Sequence, residues 1–161
     1  MKKTIAIILV LLIALTALCA CSPTKLIEKA IKKQTGQDIK IDKDADTITV
    51  QGKDGEKMEM STGDNTKWPA DKMGGLPELK GKIITSFATD KGCVITLEDV
   101  SRGDAESYVE KLKDMNLSEV YETTTDSSLG YSGNDGENQI TFTYSGDDKK
   151  GTAVVSYSQE K

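Results

Sequence analysis

Histidine is absent from all 161 residues. Its absence removes Ser-His-Asp and Cys-His nucleophiles, His-ligated zinc and histidine general bases together. Aromatics are scarce as well: one Trp, two Phe and five Tyr offer few platforms on which sugars could stack. The chain has no basic tail, and 21 Lys and Arg stand against 26 acids, so no nucleic acid is expected as a partner. The longest apolar stretch, residues 5–18 with Thr16 as its one polar side chain, spans 14 residues and falls short of the ~20 that cross a bilayer.

That stretch follows Met1, Lys2 and Lys3, the basic-then-apolar order of an export signal. It closes on Leu18-Cys19-Ala20-Cys21, which resembles the bacterial lipobox: Leu three positions before the cut, a small residue before it, Cys after it. Only a thiol forms the thioether to diacylglycerol, so that chemistry demands the Cys. A cut before Cys19 would put Thr16 where Leu belongs, which leaves Ala20 and Cys21 as the cleavage pair and Cys21 as the lipidated residue. The expectation is a signal peptide over 1–20 and a lipoprotein held at the outer face of the cell membrane. Two or three acyl chains such as palmitate, at about 0.8 kcal/mol per buried methylene, suffice for the anchor.

Removing Lys2 and Lys3 takes the basic count from 21 to 19 against 26 acids, a charge of −7 over residues 21–161. One domain fits that length, and the two-lobed clamshell of a solute receptor does not. With Cys19 in the leader and Cys21 acylated, Cys93 stands alone and no internal disulfide is expected. It alternates with Ile95 and Leu97, the pattern of a small buried hydrophobe on a strand.

Ser22-Pro23 offers a helix start, and Leu26, Ile27, Ala30 and Ile31 recur at helical spacing before Gly36. Alternating pairs follow at Ile39 and Ile41, Ile48 and Val50, and Met58 and Met60, with polar turns between them. The strongest helical pattern is Ala105, Tyr108, Val109, Leu112 and Met115, with Ser101 or Asp104 to cap its start and Asn116 its end. Val120, Leu129 and Tyr131, Ile140 to Tyr144, and Ala153 to Tyr157 then read as strands. Between these halves, Trp68-Pro69 and Gly74-Gly75-Leu76-Pro77 can form neither a helix nor a central strand. A hairpin of residues 83–88 and 93–97 follows this connector.

"IEKAIKK" from Ile27 and "VEKLKD" from Val109 lie 82 residues apart, while "QGKDGEKMEM" from Gln51 and "SGNDGENQIT" from Ser132 lie 81 apart. The pattern predicts a duplicated helix plus three-stranded meander, an α+β fold of antiparallel sheet with two helices packed on one side. The first half is 21–66, the connector 67–81 and the second half 82–161.

The lipobox, "WPADKMGGLPELKGKI" from Trp68, and Tyr108-Val-x-x-Leu112 together resemble uncharacterised lipoproteins of Gram-positive bacteria that carry a domain of unknown function. The match covers about residues 66 to 157. It implies an extracytoplasmic address and a fold, and it transfers no catalytic residue.

Other constellations are incomplete. Ser22-Pro23-Thr24-Lys25 matches the Ser-x-x-Lys of penicillin-interacting enzymes but lacks that family's partner motifs. Asp42, Asp44 and Asp46 open like a calcium loop, yet Thr47 sits where Gly must turn and Lys53 where the bidentate Glu belongs. No metal or cofactor is therefore expected. Lys25, Lys29, Lys32 and Lys33 read equally as a solvated helix face or as contacts to anionic lipid, at about 1 kcal/mol each. The leading functional expectation is a non-catalytic binding or adaptor module. Its β surface or its connector, through Trp68, Pro69, Leu76 and Pro77, would hold an envelope protein or a peptide. The alternative is a small carboxylate-dependent enzyme of the cell wall, which needs a cleft holding two acids.

Overall fold

The computed structural model describes residues 28, 29, 32, 33, 38–42, 47–51, 55–146 and 150–159. Alternation of apolar and polar residues becomes a nine-stranded antiparallel sheet. Its strands are β1 (Asp38–Asp42), β2 (Thr47–Gln51), β3 (Lys57–Thr62), β4 (Lys82–Thr89), β5 (Gly92–Val100), β6 (Ser118–Thr124), β7 (Ser128–Asn134), β8 (Asn138–Gly146) and β9 (Gly151–Gln159). The helix α1 (Arg102–Lys113) joins β5 to β6, and a short 3-10 turn occupies Ala70–Lys72.

Strands β1 to β5 follow one another across the sheet. After β5 the chain crosses through α1 to the far edge, lays down β6, and returns so that β9 pairs with β5, giving the order β1-β2-β3-β4-β5-β9-β8-β7-β6. The crossover begins where Ser101, extended at φ −76° and ψ 152°, accepts a hydrogen bond from the Asp104 N–H at 3.1 Å. That cap satisfies one of the four N–H groups that the first helical turn leaves unpaired. Asn116, at φ 53°, turns the chain out of the helix towards β6.

Paired residues of an antiparallel ladder share a face. Ser86, Ile95, Val155, Phe142 and Tyr131 thus run side by side across β4, β5, β9, β8 and β7. Ala105, Tyr108, Val109 and Leu112 of α1 close over this face, with Tyr108 tilted against Phe142 at 5.1 Å between ring centroids. Cys93 belongs to the same core, as its alternation with Ile95 and Leu97 predicts. Burial pushes its thiol pKa up, and the nearby Ser86 hydroxyl opposes that shift.

Two expectations are corrected. The α+β arrangement with two helices packed on one side gives way to a predominantly β structure, in which α1 is the one helix described as packing on the sheet. Of the expected first helix only Glu28, Lys29, Lys32 and Lys33 lie among the described residues; they are helical, and the three lysines are exposed. The repeating unit also has four strands rather than three, because β4 continues the first meander on β3 as β9 continues the second on β8. Periodicity identified the strands, but it carries no information on which distant strands pair. The signal sequence, Ala20 and Cys21 lie outside the described residues, as do Asp44 and Asp46.

Candidate functional site

The connector that sequence reasoning singled out is largely structural. Leu76 is buried in the core with Met73 and Leu79, Trp68 packs against the rim of that core, and Pro69 and Pro77 are half-buried. Gly74 permits this close approach. Its φ is +57°, and a Cβ there would collide with the Tyr157 ring. Leu76 is therefore not part of the surface that Trp68 and Pro69 present. Trp68 and Pro69 do wall a hollow of about 670 Å³ with Thr47, Ser61 and residues 64–67. Its lining is polar, Thr47 Oγ1 and Ser61 Oγ being hydrogen-bonded at 2.9 Å, and Thr66 Oγ1 is buried without a partner among the described residues.

A different surface carries more exposed chemistry. Every residue of β6 is exposed, including Tyr121 at 69% and Val120 at 48%. These two are large apolar side chains on a strand that pairs on one side with β7 and lies at the end of the described sheet. The hairpin turn closes with Thr125 N–H donating to the Ser128 carbonyl at 2.9 Å. Antiparallel alternation then directs the backbone N–H and C=O of Glu122 and Thr124 away from β7, towards the open side. Ser118 and Tyr121 bracket a bulge with Glu119 at φ 51°, so the regular ladder is confined to Tyr121–Thr124. Bulges and short ladders blunt indiscriminate edge pairing.

Between α1 and β6 lies a hollow of about 320 Å³ lined by Glu106, Val109, Glu110, Glu122 and Leu129 among others. Lys113 Nζ bridges Glu110 and Glu122 at 3.0 Å each, and Arg102 holds Glu106 at 2.8 Å while donating to the Asp126 carbonyl at 2.6 Å. The hydrogen bond that Lys113 donates to Glu122, followed by the one it donates to Glu110, raises its pKa above the usual lysine value. The three carboxylates are thus each engaged by a cation in an open, wet setting. The arrangement suits recognition of polar groups on the α1 side of the edge, while Tyr121, paired with Ser132, stands on the opposite face.

In the sequence Val120 reads only as part of a strand. The alternation Val120, Tyr121, Glu122, Thr123 has no apolar face, and that lack was the available sign of an edge strand. Among the described residues no group of three or more His, Cys, Asp or Glu comes together to hold a metal ion, and no helix is long and apolar enough to cross a membrane. No family model, curated protein or solved structure matches the chain.

Proposed function

We propose that the chain is a lipid-anchored, extracytoplasmic and non-catalytic binding module, exported under residues 1–20, acylated at Cys21, and holding an extended segment of an envelope protein along β6. The observation that carries the binding half is the exposed edge itself: Tyr121 and Val120 stand in solvent beside backbone groups turned to the open side. Adding a strand there satisfies those groups, while pockets beside the ladder supply side-chain selectivity. The hollow at Glu106, Glu110 and Glu122, where three carboxylates meet two cations, Arg102 and Lys113, suits a segment carrying one Lys or Arg. The ordered lipobox and the resemblance to uncharacterised Gram-positive lipoproteins support the anchor.

The two halves are tested separately. Cells fed labelled palmitate are expected to label the wild-type chain and not Cys21→Ser; equal labelling would remove the anchor from the reading. A photo-crosslinking residue placed at Tyr121 in intact cells is expected to give one discrete adduct that the same residue at Trp68 gives weakly. An adduct seen at Trp68 alone would return the site to the connector, and adducts at neither position would remove the binding half.

A further inference from the structure

The sheet has a second apolar surface, on the side away from α1. Ile48, Met60, Phe87 and Val94 are register partners across β2, β3, β4 and β5, with Val50 and Met58 beside them. Past β5 the same face turns polar through Ser156, Thr141 and Ser132. The α1 face shows the reverse: apolar from β4 to β7, but carrying Thr47, Thr49, Lys57, Glu59 and Ser61 on β2 and β3. Each half of the sheet is therefore apolar on a different side. A strand in an open sheet cannot bury its own face; something must lie over it. Yet Ile48 and Val50 are only 3% and 4% exposed, and neither belongs to the core beneath α1. Exposure rises away from β2, through half-buried Met58, Met60 and Phe87, to Val94 at 39%. The cover sits over β2 and β3.

The internal repeat points to the cover. Ile48 pairs with Met60 and that with Phe87, as Leu129 pairs with Tyr144 and that with Ala153; Val50 pairs with Met58 as Tyr131 does with Phe142. The two four-stranded units flank β5, and antiparallel pairing throughout makes β4 and β9 run the same way. Exchanging the units while keeping strand direction requires a half-turn about an axis along β5, and that half-turn exchanges the faces. Whatever precedes the first unit as α1 precedes the second belongs on the opposite side. At the offset of 82, Leu26, Ile27 and Ala30 correspond to Tyr108, Val109 and Leu112.

We infer that the amino-terminal segment carrying Leu26, Ile27, Ala30 and Ile31 docks on the second face, over Ile48, Val50, Met58 and Met60. This contact has a consequence for the anchor. Cys21 precedes Leu26 by five residues, a reach of at most about 17 Å. The docked segment would tie that face to the bilayer, with β6 seven strand spacings from β2, roughly 34 Å across the sheet. The open edge would be held away from the lipid.

Cysteine trapping tests the contact in membranes of cells making the full chain. Leu26→Cys with Met58→Cys reproduces, by the repeat, the Tyr108–Phe142 contact, and mild oxidation is expected to give an intramolecular disulfide. Lys29→Cys with Met58→Cys is expected to give none. A covalent dimer from the first pair would instead make a second copy the occupant, and no crosslink, or equal crosslinking of both pairs, would overturn the inference. In purified protein, Ile27→Asp is expected to lower the Tm by several degrees and Lys29→Asp to leave it unchanged. An unshifted Tm for Ile27→Asp would count equally against docking.

Discussion

The two halves of the sheet are built from similar strands and bury them differently. In the carboxy-terminal half α1 seals Leu129, Tyr131, Ile140, Phe142 and Tyr144 into a core that also takes in the connector through Met73, Leu76 and Leu79. In the amino-terminal half the apolar residues are Ile48, Val50, Met58 and Met60, on the other face, and the last three are smaller or more flexible than their counterparts Tyr131, Phe142 and Tyr144. Adaptable methionine occupies the places where the other unit sets Phe142 and Tyr144. The lesson is that one strand pattern, used twice, can serve two separate cores, because alternation specifies that a face is apolar but not which side of the sheet it will be.

The largest expected break in this comparison comes from phenylalanine truncation. Phe142→Ala, in the sealed half, is expected to cost about 3–5 kcal/mol and Phe87→Ala, half-buried on the other face, about 1–2 kcal/mol, read as denaturant midpoints at unchanged slope. Equal losses would mean that the two faces are equally well packed. A smaller effect of opposite sign is expected at Tyr108, whose hydroxyl is buried without a partner among the described residues and whose pKa burial alone drives upward. Tyr108→Phe removes an uncompensated polar group and keeps the ring on Phe142, so stability should rise by about 1 kcal/mol and the Tm with it. A fall would show that the hydroxyl is satisfied in solution.

The smallest effect is at the turn between β7 and β8. The Asn138 side-chain amide, followed by the Glu137 N–H, donates to Asp135 and holds its carboxyl below the usual carboxylate range. A lowered folded-state pKa means that the unfolded chain takes up the proton first. The stabilisation is therefore complete above the unfolded value of about 3.9 and is lost as pH falls through the lower folded value. Asp135→Asn should flatten that part of the Tm-against-pH profile and leave the Tm slope above pH 6 unchanged; an unaltered acid limb would show that the turn contributes nothing.

Much of the local structure was legible. Ser101 caps α1 as its position before an apolar 3.6-residue pattern suggested, the hairpin of β4 and β5 lies around Asp90-Lys91-Gly92, and Cys93 is buried. The candidate site was read less well. Leu76 lies in a Gly- and Pro-rich stretch where no periodicity tells an anchor from an exposed contact, and the structure makes it an anchor. The two hairpins align in sequence, but setting residues 51–60 on 132–141 puts Met58 against Gln139, whereas the ladder positions match it to Phe142, since three more residues separate the corresponding pair in the second hairpin.

By itself the sequence determined the strands, the capped helix, the Asp135-Gly136 turn and the exclusion of histidine chemistry, because each follows from residues within one or two turns of chain. Only the tertiary structure decided that β9 closes on β5, that β6 is left at an edge, and that the two halves turn their apolar residues to opposite sides. Those outcomes depend on pairings between residues as far apart as Gly92 and Ser158, and on the direction in which the crossover through α1 carries the chain. Neither leaves a mark on local alternation.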